Sequence, residues 1–195
     1  MSNPPYTFDA PDADVILRAP IRPGSDEFKD FHVHKLILSL ASIVFRDTFS
    51  IPQPPRHTLE DTTLDVVKVD EAAKVLETFL QLVYPVDPPL VDDLWLVDDL
   101  LQFADKYIAN SVRMKLKTLL VSPSFLKADP IGVFAVACRS NLDEEAKLAI
   151  SRTLSFDIVN RISEEHLNVM TTRTYHRLLK EHKSLQAQLD SYRNF

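Results

Sequence analysis

The sequence predicts an α+β domain followed by an all-α extension. Three observations support that prediction. Short stretches of β-branched and aromatic residues, typical of strands, occur at residues 15–18, 31–34 and 66–69. Apolar residues elsewhere recur at helical spacing, and no strand pattern follows residue 125. We therefore expect a flexible arm over residues 1–11, the α+β domain over residues 12–125 and the helical extension over residues 126–195.

Three strands are expected in the α+β domain. Residues 15–18 and 31–34 are the first two, and the turn-rich segment between them predicts that they form a hairpin. Residues 66–69 are the third strand. Ahead of the first strand, three prolines each remove a backbone donor, which predicts the flexible arm.

The helices of this domain are predicted from the spacing of its apolar residues. After the second strand, six apolar residues fall on one face of a predicted helix: Leu36, Ile37, Leu40, Ala41, Val44 and Phe45. Further helices are expected over residues 72–83, 92–107 and 112–120, and Pro123 is expected to close this domain. The proline-rich segment over residues 51–55 is predicted to be an exposed loop.

The extension is expected to be helical. Asp129 followed by Pro130 predicts a helix start, because aspartate caps a helix and proline fits its first position. A second helix is expected over residues 141–155, and Ser163 followed by two glutamates predicts the start of a third. The last helix, over residues 174–192, is polar on most faces.

The composition excludes several classes of function. Among 195 residues there are only two glycines, Gly24 and Gly132, which lie too far apart for a dinucleotide-binding loop, a P-loop or a G-x-S-x-G nucleophile elbow. A common nucleotide-dependent enzyme is therefore not expected. Because the sequence also groups no catalytic constellation, we expect a non-enzymatic protein with no catalytic residues and no cofactor. The net charge of −6 leaves no basic excess for nucleic acid.

The single cysteine, Cys138, cannot form an internal disulfide, which favours a reducing compartment, the cytoplasm or the nucleus. Because Cys138 lies in an apolar helical run, its thiol is expected to be inert. No apolar segment approaches the ~20 residues that a membrane-spanning helix needs. The sequence thus predicts an intracellular protein without membrane contact.

A series of short motifs resembles the BTB/POZ family. It comprises, in order, residues 13–17 (ADVIL), 31–38 (FHVHKLIL), 67–70 (VKVD), 79–85 (FLQLVYP) and 101–107 (LQFADKY), with Phe45 and Phe49 after the second motif. The segment after the domain, including residues 128–134, is similar to BTB proteins of filamentous and mushroom-forming fungi. The resemblance implies a helical cluster capped by a small three-stranded sheet, with no active site.

The resemblance also implies partners. BTB/POZ proteins self-associate, dock as substrate adaptors on the cullin scaffold of ubiquitin ligases, or recruit transcriptional regulators. We therefore expect a protein partner, with a cullin scaffold as the leading candidate. The alternative is a self-associating scaffold or transcriptional co-regulator without ligase contact, and a small hydrolase that uses aspartate and histidine is a remote alternative.

Two departures from the family pattern bear on these partners. Dimeric members carry a swapped helix before the first strand, where this chain has a short proline-rich segment. Cullin-binding members place a hydrophobic-x-acidic motif after the helix that bears Phe45, and here residues 49–53 contain no carboxylate. A substitute motif lies further along the loop, which we expect either to dock a partner or merely to cover the core. The expected partner-binding residues are Phe49, Ile51, Leu59, Glu60 and Asp61.

Three polar residues are expected in the core. His34 is predicted to begin a helix and to be buried with Asp14 as its hydrogen-bond partner, and a buried charge pair between Asp14 and Lys35 is a second possibility. Either pairing predicts that Asp14→Ala unfolds the domain. The pattern His32-x-His34 also suggests metal ligands, but a metal site would need a third ligand, and we predict none.

Two further sets of polar residues have a structural interpretation. The tail histidines are predicted to lie on a solvated helical face: His166, His176 and His182. An acidic series is predicted to cap helices or to face solvent: Asp87, Asp92, Asp93, Asp98 and Asp99. Neither set has the spacing of a zinc or calcium site.

Overall fold

The computed structural model describes residues 6–51 and 64–193. In chain order the described strands are β1 Val15–Pro20, β2 Phe28–Val33 and β3 Asp65–Lys68. The described helices are α1 Lys35–Ala41, α2 Ile43–Ser50, α3 Ala73–Val83, α4 Leu94–Lys106, α5 Asn110–Leu120, α6 Pro123–Ala128, α7 Pro130–Arg139, α8 Asp143–Ser151, α9 Glu164–Val169 and α10 Thr172–Arg193. Two 3-10 turns, Arg152–Ser155 and Val159–Arg161, lie between α8 and α9.

The described residues form two compact units. The first lies within Met1–Leu90 and Asp99–Arg113, and the second within Val91–Asp98 and Met114–Phe195. The first unit contains the sheet with α1, α2 and α3, whereas the second contains α6 to α10. No described helix is long and apolar enough to cross a membrane.

The three strands form one sheet with β1 in the centre. Leu17 of β1 pairs with Phe31 in antiparallel β2 and with Val67 in parallel β3. Val15, Leu17 and Ala19 alternate along β1 and are fully buried, so this face of the sheet packs on the helices. The predicted hairpin and the predicted α+β fold with a three-stranded sheet are confirmed.

Aromatic rings fill the core of the first unit. The ring centroids of Phe79 and Phe103 are 4.6 Å apart, and Phe103 stacks on Tyr107 at 4.3 Å. Tyr107 in turn stacks on Phe45 at 4.8 Å, which joins α2 to the aromatic cluster. Because such rings bury large apolar areas, we expect truncation of Phe79 to alanine to cost about 3–5 kcal/mol.

The segment before β1 packs against the domain, contrary to the flexible arm expected over residues 1–11. Phe8 is buried, with its ring centroid 5.2 Å from that of Tyr84 and 6.1 Å from that of Phe31. Its carbonyl oxygen accepts the N–H of His32 at 2.8 Å. The free energy gained by burying the Phe8 ring thus exceeds the cost of the backbone hydrogen-bond donors that prolines lack. The first five residues lie outside the described part of the chain.

The second unit is built around α7, which is apolar and buried over most of its length. The Asp129 carboxylate caps α7 by accepting the N–H of Gly132 at 2.9 Å, and Pro130 occupies the first turn. The predicted helix start is therefore confirmed. α8, α9 and α10 pack against α7, as expected for a helix that is hydrophobic on all its faces.

Pro123 begins α6 at its first turn, because proline lacks only a donor that the first turn does not use. One prediction for an acidic residue of the second unit is wrong. Asp98 does not face solvent: it is buried and accepts a hydrogen bond from Arg139 Nη1 at 2.6 Å. A buried carboxylate needs such a partner, and this one lies far along the chain.

Two of the three tail histidines are buried, contrary to the predicted solvated face. His166 Nε2 lies 2.9 Å from Asp129 Oδ2, and Nδ1 accepts the N–H of Ser163 at 2.9 Å. His182 Nδ1 lies 2.9 Å from the hydroxyl of Thr153, and burial lowers the pKa of His182. Both imidazoles therefore join elements of the second unit.

Candidate functional site

Ser42 divides the helix predicted after β2 into α1 and α2. Its backbone is extended, with φ −139° and ψ 128°. Its hydroxyl accepts the N–H of Phe45 at 3.1 Å and donates to the carbonyl oxygen of Tyr107 at 2.6 Å. One buried side chain thus caps α2 and holds it against the end of α4.

The break leaves part of the predicted apolar helical face exposed to solvent. Leu36 and Leu40 are 69% and 81% exposed, whereas Leu38 is buried in their place. Leu36 and Leu40 lie four residues apart on one side of α1. Leu40, Ile43 and Ile108 line a shallow cavity of about 170 Å³. We call Leu36, Leu40, Ile43 and Ile108 the α1 apolar face.

Ile108 has a left-handed backbone, with φ 49°, which β-branched residues rarely adopt. Ile108 follows α4 in a Schellman-type ending. Its N–H donates to the backbone carbonyl oxygen of Asp105 at 3.3 Å, and the N–H of Ala109 donates to the backbone carbonyl oxygen of Ala104 at 2.8 Å. Glycine would adopt this conformation without strain. Isoleucine places an apolar side chain beside Leu40, and stored strain of this kind is concentrated at functional surfaces.

Polar groups surround the α1 apolar face. Ser39, Arg46 and Asn110 line the same shallow cavity. An apolar centre with a polar rim is the usual anatomy of a protein interface. The four apolar side chains cannot act as nucleophile, acid or base, so the arrangement supports contact with a partner rather than chemistry.

The sequence did not reveal this surface, because helical spacing placed Leu36 and Leu40 on one apolar face with Phe45 without showing which of these residues are exposed. The usable signal was Ser42, since serine in the middle of an apolar helical run favours a cap over helix interior. Its acceptor on Tyr107 lies 65 residues away, which no local pattern indicates.

The predicted docking residues at the end of α2 differ in exposure. Ile51, just after α2, is 63% exposed. Phe49 is half-buried and stacks on Phe45 with ring centroids 5.9 Å apart, and Lys35 Nζ lies 6.0 Å from its centroid. Phe49 therefore belongs to the packing of α2, whereas Ile51 is free to meet a partner. The remaining predicted residues, Leu59, Glu60 and Asp61, lie outside the described residues.

The predicted buried charge pair of Asp14 and Lys35 is wrong. Asp14 is exposed, and its carboxylate accepts the backbone N–H of Lys35 at 2.7 Å, at the start of α1. The Lys35 ammonium instead donates to Asp65 Oδ2 at 2.8 Å. A carboxylate at a helix start satisfies a free donor there, so Asp14 stabilises α1 as a surface group.

The predicted partner of His34 is also wrong. Its backbone N–H donates to the Tyr84 hydroxyl at 2.8 Å, and its Nδ1 lies 3.1 Å from the same oxygen. Burial raises the pKa of Tyr84 to about 12, so the hydroxyl keeps its proton and can donate it to Nδ1. His34 Nε2 lies 3.4 Å from Asp12. No three metal-binding side chains cluster among the residues that the structure describes.

Cys138 has the environment of an unreactive thiol. Burial raises the pKa of Cys138 to about 11, although Arg177 Nη1 lies 3.8 Å from its sulfur. The thiolate is the nucleophilic form, and it is scarce at neutral pH when the pKa is this high.

Comparison with known proteins agrees with this architecture. A family model described as BTB/POZ domain matches residues 14–124, more than half of the chain. The matched span holds the sheet, the helices α1 to α5 and the α1 apolar face. No curated protein matches the chain at a significant level.

Proposed function

Since the chain belongs to the BTB/POZ family, whose domains are protein-interaction modules, we propose that it is a non-enzymatic substrate adaptor for a cullin-based ubiquitin ligase. In this proposal the cullin scaffold meets the α1 apolar face and the exposed end of α2. The observation that supports this proposal most directly is the α1 apolar face, whose four apolar side chains are exposed to solvent.

The energetics of this face suit a docking role. Full burial of one leucine or isoleucine side chain contributes about 1.5–3 kcal/mol. Four partly exposed residues therefore offer several kcal/mol against the entropy cost of association. Ser42 holds α1 and α2 in place before binding, so little further ordering is needed.

Pull-down with a purified cullin amino-terminal domain tests the proposal. Leu40→Asp should abolish capture, because it places a charge in an apolar contact. Leu90→Asp is the matched control, since Leu90 is 88% exposed and lies outside the face. The pair Phe49→Ala with Ile51→Asp tests the end of α2. The proposal would be contradicted if the wild-type protein did not bind the cullin domain. It would also be contradicted if both Leu40→Asp and the Phe49→Ala/Ile51→Asp variant were still captured.

The same face favours a second candidate function, a self-associating scaffold or transcriptional co-regulator without ligase contact. Domains of this family self-associate. Leu36 and Leu40 form an apolar strip that can contact its own copy across a two-fold axis. Light scattering at several concentrations should then show a dimer for wild type and a monomer for Leu36→Asp with Leu40→Asp. A wild-type monomer at every concentration would exclude this function.

A further inference from the structure

The second unit contains a groove with the size of a ligand site. Its volume is about 710 Å³, within the ~300–1,000 Å³ typical of such sites. It is lined by residues from α6, α8 and both 3-10 turns, together with Pro130 at the start of α7. It shares no residue with the α1 apolar face.

The groove offers apolar surface to solvent. Leu126 and Pro130 are buried beneath it, whereas Leu148 is exposed and Phe156 is half-buried. An occupant with a large apolar side chain would cover Leu148 and Phe156, and removing such surface from water drives binding.

Three cations from three elements line the same groove: Lys127 of α6, and Arg152 and Arg161 of the two 3-10 turns. No carboxylate is among the lining residues, and within the described chain none of the three cations forms an ion pair. The Arg161 guanidinium lies 4.5 Å from the ring centroid of Phe156, which places positive charge directly on the apolar lining.

Composition and helix dipoles do not explain why these three cations line one groove. The chain as a whole carries a net charge of −6, so a local group of three cations departs from the average charge of the chain. The helix dipole favours single cations at the ends of α6 and α8. It does not bring a third cation from another turn to the same groove, where like charges repel.

We propose that this groove binds an acidic peptide segment of a partner protein. The segment sets one large apolar side chain against Leu148 and Phe156, and its carboxylates pair with Lys127, Arg152 and Arg161. A peptide can present separate carboxylates to cations on separate elements, whereas an anionic lipid concentrates its charge in one headgroup. The inference does not depend on the cullin proposal, since it concerns other residues in the second unit.

Fluorescence anisotropy with the full chain tests the charges of the groove. The probe is a fluorescein-labelled peptide of sequence Glu-Glu-Phe-Glu-Glu-Leu-Glu. Lys127→Glu with Arg152→Glu should weaken binding by about tenfold or more, because each reversal removes one ion pair and adds a repulsion. The control variant Lys74→Glu with Arg173→Glu changes the net charge equally at exposed positions outside the groove, and it should bind as wild type does.

A second pair of measurements tests the apolar contact. Leu148→Gln, and a probe with serine in place of phenylalanine, should each weaken binding while circular dichroism shows the variant folded. Absence of wild-type binding, or equal loss in the groove and control variants, would overturn the proposal. So would groove-dependent binding to phosphatidylcholine vesicles containing phosphatidylserine without binding of the peptide, because the occupant would then be a lipid surface.

Discussion

The hydroxyl of Ser42 donates to the carbonyl oxygen of Tyr107 at 2.6 Å, across 65 residues of sequence. The Ser42 hydroxyl oxygen also accepts the N–H of Phe45 and so begins α2. This contact places the break between α1 and α2 at Ser42 and leaves Leu36 and Leu40 in solvent. The apolar surface that we propose for docking therefore depends on a buried polar contact.

Ser42→Ala should lower the free energy of unfolding by about 1–3 kcal/mol, since it removes a cap and the shorter of the two hydrogen bonds to the Tyr107 carbonyl oxygen, which also accepts the N–H of Val44 at 3.5 Å. Urea denaturation measures this change. Ser39→Ala on α1 is the control, and we expect it to stay within about 0.5 kcal/mol of wild type. Equal stability of the two variants would mean that the Ser42 contact contributes nothing.

Ile108→Gly should both raise the melting temperature of the protein and weaken its binding to the partner. Glycine adopts the left-handed conformation freely, which relieves about 1 kcal/mol of strain. The same change removes an apolar side chain from the α1 apolar face. Calorimetry and the cullin pull-down measure the two effects.

Asn141→Gly is the matched comparison for Ile108→Gly. Asn141 also has a left-handed backbone, with φ 55°, but asparagine tolerates it better than isoleucine does. Its gain in stability should therefore be smaller. A larger gain at Asn141 than at Ile108 would show that the isoleucine is not the more strained residue.

Asp14→Ala should leave the domain folded and cost about 1 kcal/mol, because Asp14 is an exposed cap of α1 and not a buried charge. Circular dichroism with thermal melting measures the change. Asp12→Ala, at an exposed neighbour that lies near His34, should have a smaller effect. An unfolded Asp14→Ala protein would restore the buried pairing expected from the sequence.

Asp129 should stabilise the second unit in a manner that depends on pH. Burial alone would raise the pKa of Asp129, but hydrogen bonds from His166 and from the N–H of Gly132 outweigh it and hold the pKa below its ordinary value. The folded carboxylate therefore binds a proton less readily than the unfolded one. Its stabilisation is present above about pH 4 and is lost as the pH falls through the folded pKa.

Asp129→Asn isolates the charge, because asparagine keeps an oxygen that can cap α7. The variant should be about 1–2 kcal/mol less stable than wild type near neutral pH, and the difference should shrink below about pH 4. Denaturation at a series of pH values measures it. Glu165→Gln, at an exposed position in α9, should match wild type throughout. A constant deficit for Asp129→Asn across the series would show that its charge is not responsible.

Local signals in the sequence located most elements of the fold. Asp129 and Ser163 cap α7 and α9 as predicted, because a cap acts within one helical turn. The polar contacts were placed less well. His34 binds Tyr84, 50 residues along the chain, and no pattern around either residue indicates the other. The docking residues expected at Leu59, Glu60 and Asp61 remain a prediction.

The sequence alone determined the α+β class, the three strands, the apolar α7 and the BTB/POZ resemblance, since these depend on periodicity and on the order of motifs. Tertiary structure decided which apolar residues of α1 are exposed and which cations meet around one groove. The physical reason is that periodicity describes a segment by itself, whereas burial and charge pairing depend on the distant segment that packs against it.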